Sequence, residues 1–150
     1  MDLPSPARFM VELQKAATRG HRLLLQSPLG GLLATTPMGR FLVLHTTGRR
    51  SGKPRQTPLS YTRDGDAFVV IASDGGSPHD PDWYLNLQDQ PVAEVEVGGR
   101  RRPVLAETVT GAERDRLWRQ AVRSYGGYAG YQARTNREIP VVRLAPDGSS

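Results

Sequence analysis

Phe41-Leu-Val-Leu-His-Thr46 runs into the basic turn Thr47-Gly-Arg-Arg-Ser-Gly-Lys-Pro-Arg55. Gln56-Thr-Pro-Leu-Ser-Tyr-Thr62 follows and, past Asp64-Gly65-Asp66, Ala67-Phe-Val-Val-Ile-Ala-Ser73. This stretch decides the fold. Its apolar runs are short and bounded by turn residues, which predicts strands rather than helices. Asp64-Gly65-Asp66 suits a hairpin between strands at 57–62 and 67–73. Pro58 lacks a backbone N–H, so the first of these strands belongs at an edge or carries a bulge.

Working towards the C-terminus, 74–80 is a polar loop and 81–88 a short helix started by Asp80 and Pro81. Ala93, Val95 and Val97 alternate with Glu94 and Glu96, and Gly98-Gly99 turns the chain into a strand near 103–109. Thr110-x-x-Glu113 reads as a capping box before a helix with Leu117, Trp118, Ala121 and Val122 on its apolar face. A Tyr/Gly-rich stretch (125–137), a last strand (139–144) and a polar tail complete the chain. Towards the N-terminus, Ser5-Pro6 followed by Phe9, Met10, Leu13, Ala16 and Ala17 predicts a helix over 6–19. Ser27-Pro28, Gly30-Gly31 and the segment 37–40 break regular structure. About six strands with a few helices give an α+β domain built on a small antiparallel barrel. The expected divisions are an N-terminal amphipathic helix and linker (1–38), the barrel (39–146) and a tail (147–150).

The chain has 150 residues, which suits one domain. Its 16 glycines and 12 prolines favour a turn-rich fold, and 37% hydrophobic residues give it a modest core. It has no cysteine, which excludes disulfide scaffolds, Cys-liganded zinc, iron–sulfur clusters and thiol nucleophiles. No apolar run reaches the roughly 20 residues of a membrane span and no signal-peptide core follows Met1, so a cytoplasmic location is expected. A formal net charge of +5 favours anionic partners.

The turn at Gly48 is where that charge concentrates. Four cations and two glycines share one strand connection, where backbone N–H groups can converge on an anion and Arg can bind phosphate bidentately. It is not a Walker A loop, because Thr47 stands where the first glycine belongs and Pro54 replaces the Ser/Thr that would hold magnesium. A solvated hairpin tip fits the composition equally well. No aromatics interleave with the cations, so no nucleic-acid platform is expected. Arg100-Arg-Arg102 reads as a wet surface.

In Pro81-Asp-Trp-Tyr-Leu-Asn-Leu87, Trp83 and Leu87 share one helical face, and Asp82 and Asn86 another. The first face can anchor in the core while the second offers a carboxylate and an amide. Tyr125, Tyr128 and Tyr131 recur every three residues among Gly126, Gly127 and Gly130, which suits a mobile cover over a cleft, or else a plug for one end of the barrel. A phenol with a pKa of about 10 donates a proton at neutral pH. His21, His45 and His79 have no metal-ligand spacing, and no metal site is expected.

Taken in register, four motifs resemble the deazaflavin-dependent nitroreductase family of actinobacteria. They are Gly48-Arg-Arg-Ser-Gly-Lys-Pro-Arg55 with Thr57-Pro-Leu59, then Ala72-Ser-Asp-Gly-Gly76, then 81–87, and finally Tyr128-x-x-Tyr-Gln132 with Thr135-x-Arg-x-Ile-Pro-Val-Val142. The resemblance implies a split β-barrel of the flavin-reductase/pyridoxamine-oxidase kind that binds reduced coenzyme F420, a deazaflavin with an anionic phosphodiester and oligoglutamate tail. It implies that Arg49, Arg50, Ser51 and Arg55 clamp the phosphate and tail, and that Gln56, Thr57, Pro58, Leu59 and Ser60 pass the cofactor as a strand. Ala72, Ser73 and Asp74 would contact the cofactor, Ser73 by the ring and Asp74 at a tail position, and Asp82, Trp83, Tyr84, Leu85 and Asn86 would approach the ring. Tyr128 would close over the substrate as proton donor, with Tyr125 and Tyr131 shaping the pocket. Two positions depart from the family pattern: Asp74 stands where Lys is frequent, and Ser60 where some members place a pocket Tyr.

The activity this implies is hydride transfer from reduced F420 to a conjugated acceptor such as a quinone, enone or nitroaromatic. An FMN-binding oxidoreductase and a non-catalytic fatty-acid or quinone carrier are the alternatives. The basic, apolar N-terminal helix could lie on the inner face of the plasma membrane, or pack on its own domain or on a dimer partner. Both monomer and homodimer fit.

Overall fold

The computed structural model describes residues 35–36 and 39–148. The elements are β1 (Thr35–Thr36), β2 (Gly39–Thr47), β3 (Pro54–Asp64), β4 (Ala67–Ile71), a 3-10 turn (Asp74–Gly76), α1 (Asp82–Asp89), β5 (Val92–Val97), β6 (Arg100–Thr108), α2 (Gly111–Ser124), α3 (Gly127–Ala133) and β7 (Val141–Pro146). The strands pair antiparallel in the order β2-β3-β4-β7-β6-β5, and β5 returns to β2, closing a six-stranded barrel. The expected helix over 6–19, the breaks around 27–31 and Pro37 lie outside the described residues. Thr35–Thr36, assigned to the linker by the sequence, form a short strand paired with Gly39 and Arg40.

Period-two alternation makes two cores. Leu42 and Leu44, Leu59 and Tyr61, Phe68 and Val70, Ala93 and Val95, Val104, Val142 and Leu144 fill the barrel, and Trp83, Tyr84 and Leu87 of α1 join them. The opposite faces of β4 and β7 (Val69, Ile71, Val141) pack with Val109 and Ile139 against Leu117 and Ala121 of α2 and Tyr128 and Tyr131 of α3. The return of β5 to β2 removes the outer edges of the sheet and leaves only part of β3 with a single neighbour, which suits a chain with a modest core.

The two hairpins form at their turn signals. Gly98 and Gly99 have φ of 59° and 78°, the left-handed pair that a two-residue turn between right-twisted strands requires. β6 begins at Arg100 rather than near Pro103, so Arg100, Arg101 and Arg102 are exposed strand residues, and Arg101 pairs with Glu94 at 3.4 Å. Pro58 pairs with Val43 of β2, whereas β4 joins β3 only from Thr62 to Asp64. From Pro54 to Tyr61, β3 is therefore paired on one side, and a missing N–H is tolerated there. The barrel is split along this line.

Thr110 occupies the N-cap of α2, but the capping box does not form: no side-chain cap bond is present. Glu113 turns instead to Arg143, which contacts it at 3.0 Å and also reaches Asp64 at 3.0 Å and Glu107 at 3.2 Å. An ionic partner on β7 outcompetes the local cap. The Arg143 hydrogen bonds hold Asp64 and Glu113 below the usual carboxylate range. Lowered carboxylate pKa values stabilise the fold above the ordinary pKa near 4, and that contribution disappears as pH falls through the depressed values. Arg143→Gln should therefore lower the melting temperature most near pH 7, with the gap to wild type narrowing as thermal unfolding is followed down through about pH 4 to pH 2. A gap independent of pH would contradict this.

Candidate functional site

The basic turn closes on itself and then onto α1. Gly48 N donates to Lys53 O and Gly52 N to Gly48 O, both at 2.8 Å. A Cβ at position 48 would lie 2.7 Å from Ser51 Oγ and 3.3 Å from Lys53 O, so any larger residue would have to displace the Ser51 hydroxyl from the turn. Ser51 Oγ accepts from Lys53 N (3.2 Å) and Arg55 Nη2 (3.4 Å). One buried amide fastens the turn to the barrel: Asn86 Oδ1 accepts from Arg49 N at 3.1 Å and from Arg49 Nη1 at 2.9 Å, while Asn86 Nδ2 donates to Thr46 Oγ1 at 3.5 Å. Arg49 Nη2 then meets Asp82 Oδ1 at 3.2 Å.

A cavity of about 390 Å³ opens between the turn and α1. Gly48, Arg49, Arg50, Ser51 and Arg55 line it from the turn, Thr46 and Thr57 from the strands, and Asp82, Trp83 and Asn86 from the helix. Within it Arg49 is half-buried and paired, while Arg50 has no hydrogen-bond or ion-pair partner among the described residues and Arg55 bonds only the Ser51 hydroxyl. Two guanidinium groups without acids, next to a glycine loop and an indole, can hold an anionic group at the barrel mouth.

The other sequence candidates fall around this cavity rather than in it. Leu59, Ala72 and Tyr84 are barrel core, and Pro58 is fully buried. Leu85 is half-buried. Gln56 lies on the opposite face of β3, in a second cavity of about 570 Å³ with His45, Glu94 and Arg101. Burial, then Arg101, pushes the His45 imidazole below its ordinary pKa despite Glu96 at 3.5 Å.

Ser73 and Asp74 sit on a loop that Arg137 staples. Its guanidinium donates to the carbonyls of Ala72 (3.2 Å), Ser73 (2.9 Å) and Ser77 (2.9 Å) and to Asp80 Oδ1 (2.9 Å). Asp80 is thereby taken from the helix-starting role that the sequence suggests, and Pro81 itself occupies the N-cap of α1. Asp74 adopts φ 44° and is held above the usual carboxyl pKa, first by burial, with Arg137 opposing and the nearby Asp82 adding. Gly76 lets the 3-10 turn meet α3: its φ is +85°, and a Cβ there would approach Tyr131 O to 2.9 Å.

The tyrosines do not share one helix. Tyr125 ends α2, and Tyr128 and Tyr131 belong to α3. Their rings cluster with centroids 5.1–6.2 Å apart, and the hydroxyls of Tyr125 and Tyr131 meet at 2.9 Å. Tyr128 is buried in the outer core, and its hydroxyl bonds Ser60 on the one-sided stretch of β3. Burial pushes the Tyr128 phenol up to about 12 and Tyr131 higher still. Rather than standing over an open cleft, the trio is packed.

Sequence reasoning missed Thr46, although the inward alternation of Leu42 and Leu44 points to it. It also gave Arg137 no role, since four partners so distant in sequence leave no local signal.

Residues 18–146 match the F420H(2)-dependent quinone reductase family. The chain belongs to that family. A relative in Mycobacterium tuberculosis, the F420H(2)-dependent quinone reductase Rv1261c, is 46% identical over 106 residues, covering 69% of this chain and 71% of the relative. The solved F420-H2 dependent reductase FDR-A of Mycobacterium smegmatis is 37% identical with a TM-score of 0.64, covering 69% of this chain and 92% of that one. A second solved structure, described as a domain-swapped dimer, is 33% identical with a TM-score of 0.68 over 93% of this chain and 99% of that one. This quinone reductase family member is an F420H2-dependent oxidoreductase on a split barrel, with reduced F420 as its cofactor. The nitroreductase label suggested by the sequence motifs has no counterpart in these matches.

Asn86→Ala removes the acceptor that, among the described residues, binds both the Arg49 backbone and its guanidinium. The Arg49 amide should then exchange with solvent at least tenfold faster in hydrogen-exchange measurements, with core amides of β2 changing far less. Unchanged protection at Arg49 would show that the turn stands without its anchor.

Proposed function

We propose that the basic cavity holds the phosphate and acidic tail of reduced F420, and that this enzyme passes a hydride from it to a quinone. The carrying observation is the convergence of Arg49, Arg50 and Arg55 with Gly48 at the barrel mouth beside Trp83, where two of the three guanidinium groups lack acidic partners. The donor set fits a phosphate-bearing cofactor, being cationic, glycine-lined and fixed in place by Asn86 before any ligand arrives. Reduced F420 supplies the hydride when bound; the protein supplies position and charge.

In this reading Arg50 and Arg55 hold the anion, Arg49 sets the depth of the site, and Trp83 and Thr57 form its inner wall. The Arg137-stapled loop keeps Ser73 and Asp74 at the split side of β3. Tyr128 carries its proton throughout the neutral range, because burial raises its pKa, and its hydroxyl at Ser60 donates that proton to the reduced acceptor. Tyr125 and Tyr131 fix its ring. Enones and nitroaromatics share with quinones an electrophilic centre conjugated to an oxygen that can take up charge, and we include them in the acceptor class. The domain-swapped relative favours a homodimer as the assembly.

Two measurements test this. The triple change Arg49→Gln, Arg50→Gln and Arg55→Gln should weaken F420 binding at low salt by at least a hundredfold, each lost charge-assisted contact contributing about 1 kcal/mol or more. Equal affinity would overturn the reading. With menadione as acceptor, Tyr128→Phe should lower kcat by about a hundredfold while leaving F420 affinity unchanged. Wild-type kcat should show no alkaline limb from this group between pH 6 and 9, since its pKa is about 12. An unchanged kcat in the variant would remove Tyr128 from the chemistry.

A further inference from the structure

The cavity contains its own anion. Arg49, the deepest cation, is held by Asn86 on one side and by Asp82 on the other, with Asp82 Oδ1 3.2 Å from Arg49 Nη2. The Asp82 side chain is 88% exposed, so it stands at the mouth rather than in the wall. Arg50 and Arg55, across the cavity, have no acid.

We propose that Asp82 is a specificity-determining residue, an internal competitor that makes the site select extended polyanions over a single terminal phosphate. The inference rests on the reading of this cavity as the cofactor's anion site. A lone phosphate held by Arg50 and Arg55 can add Arg49 only by displacing or sitting beside the Asp82 carboxylate, and like charges at contact distance oppose it. An anion with charges spaced along a chain can give Arg50 and Arg55 a charge each, where no carboxylate stands, and so gains contacts without approaching Asp82. A coenzyme with a phosphodiester and an oligoglutamate tail fits this pattern, and a mononucleotide does not. Asp82 also belongs to the first turn of α1, where a negative charge stabilises the helix. One carboxylate thus fastens the helix start, steadies Arg49 and filters ligands.

Asp82→Asn keeps shape and hydrogen bonding but removes the charge. Binding of F420 and of FMN would be measured by fluorescence titration at fixed ionic strength for the wild type, Asp82→Asn and Asp89→Asn. The last removes an acid at the far end of α1 and controls for net charge; melting curves confirm that all three are folded. The inference predicts that Asp82→Asn tightens FMN binding at least threefold and F420 binding by less than half that factor, so that the preference for F420 shrinks. Asp89→Asn should leave the ratio unchanged. An unaltered ratio in Asp82→Asn would overturn the filter, and if Arg50→Gln with Arg55→Gln still weakens F420 binding, the cavity assignment stands without it. If those two arginine changes leave F420 affinity intact, the cavity assignment itself falls, and the filter with it.

Discussion

Everything at the barrel mouth depends on one buried amide. Asn86 sits on α1, whose Trp83, Tyr84 and Leu87 are locked into the barrel interior. Its Oδ1 takes two donors from Arg49, one backbone and one guanidinium. Thr46 at the end of β2 takes a bond from its nitrogen. A loop of glycines and long cationic side chains has much conformational freedom to lose on binding. Tying its first arginine to a core helix removes part of that cost before a ligand arrives, and leaves Arg50 and Arg55 as the groups free to respond.

The split in the barrel follows from the same economy of pairing. β3 pairs with β2 from Pro54 to Tyr61 but meets β4 only at its last three residues. Along the unpaired side lie Pro58, which has no N–H to lose, and Ser60, which the sheet leaves to Tyr128. Arg137 closes the far bank by collecting three carbonyls and Asp80. The far side of the opening is therefore framed by a side chain that satisfies carbonyls the sheet does not, while Thr62 Oγ1, where β3 regains its second neighbour, is buried without a hydrogen-bond partner among the described residues.

Much of this was legible in the sequence, because much of it is local. The strands at 41–46 and 57–62 show as short runs bounded by turn residues, 92–97 alternates, the turns carry Gly or Asp where φ must be permissive, and the cations of the turn are adjacent in the chain. Trp83 and Leu87 declare a buried face by spacing alone. What escaped is what tertiary partners decide. Thr110 and Glu113 have the letters of a capping box, yet Glu113 bonds to an arginine thirty residues on. Tyr125, Tyr128 and Tyr131 suggested one helical stripe, either a cover or a plug; the chain breaks between the first and second, and Tyr128 and Tyr131 are buried in the outer core with Tyr125 partly buried beside them. Gln56 follows Arg55 directly but faces the other cavity, since a strand turns alternate residues to opposite sides.

Two cavities flank the β2–β3 hairpin, one basic and bound to α1, the other built around His45, Gln56, Glu94 and Arg101. We assign the cofactor to the first. Backbone and indole chemical shifts recorded during a titration with F420 separate the two. The account predicts that the largest changes fall on the amides of Gly48 to Arg55 and on the Trp83 indole, while Gln56, Val92 and Glu94 stay nearly still. Changes centred on His45, Gln56 and Glu94, with the turn silent, would contradict it.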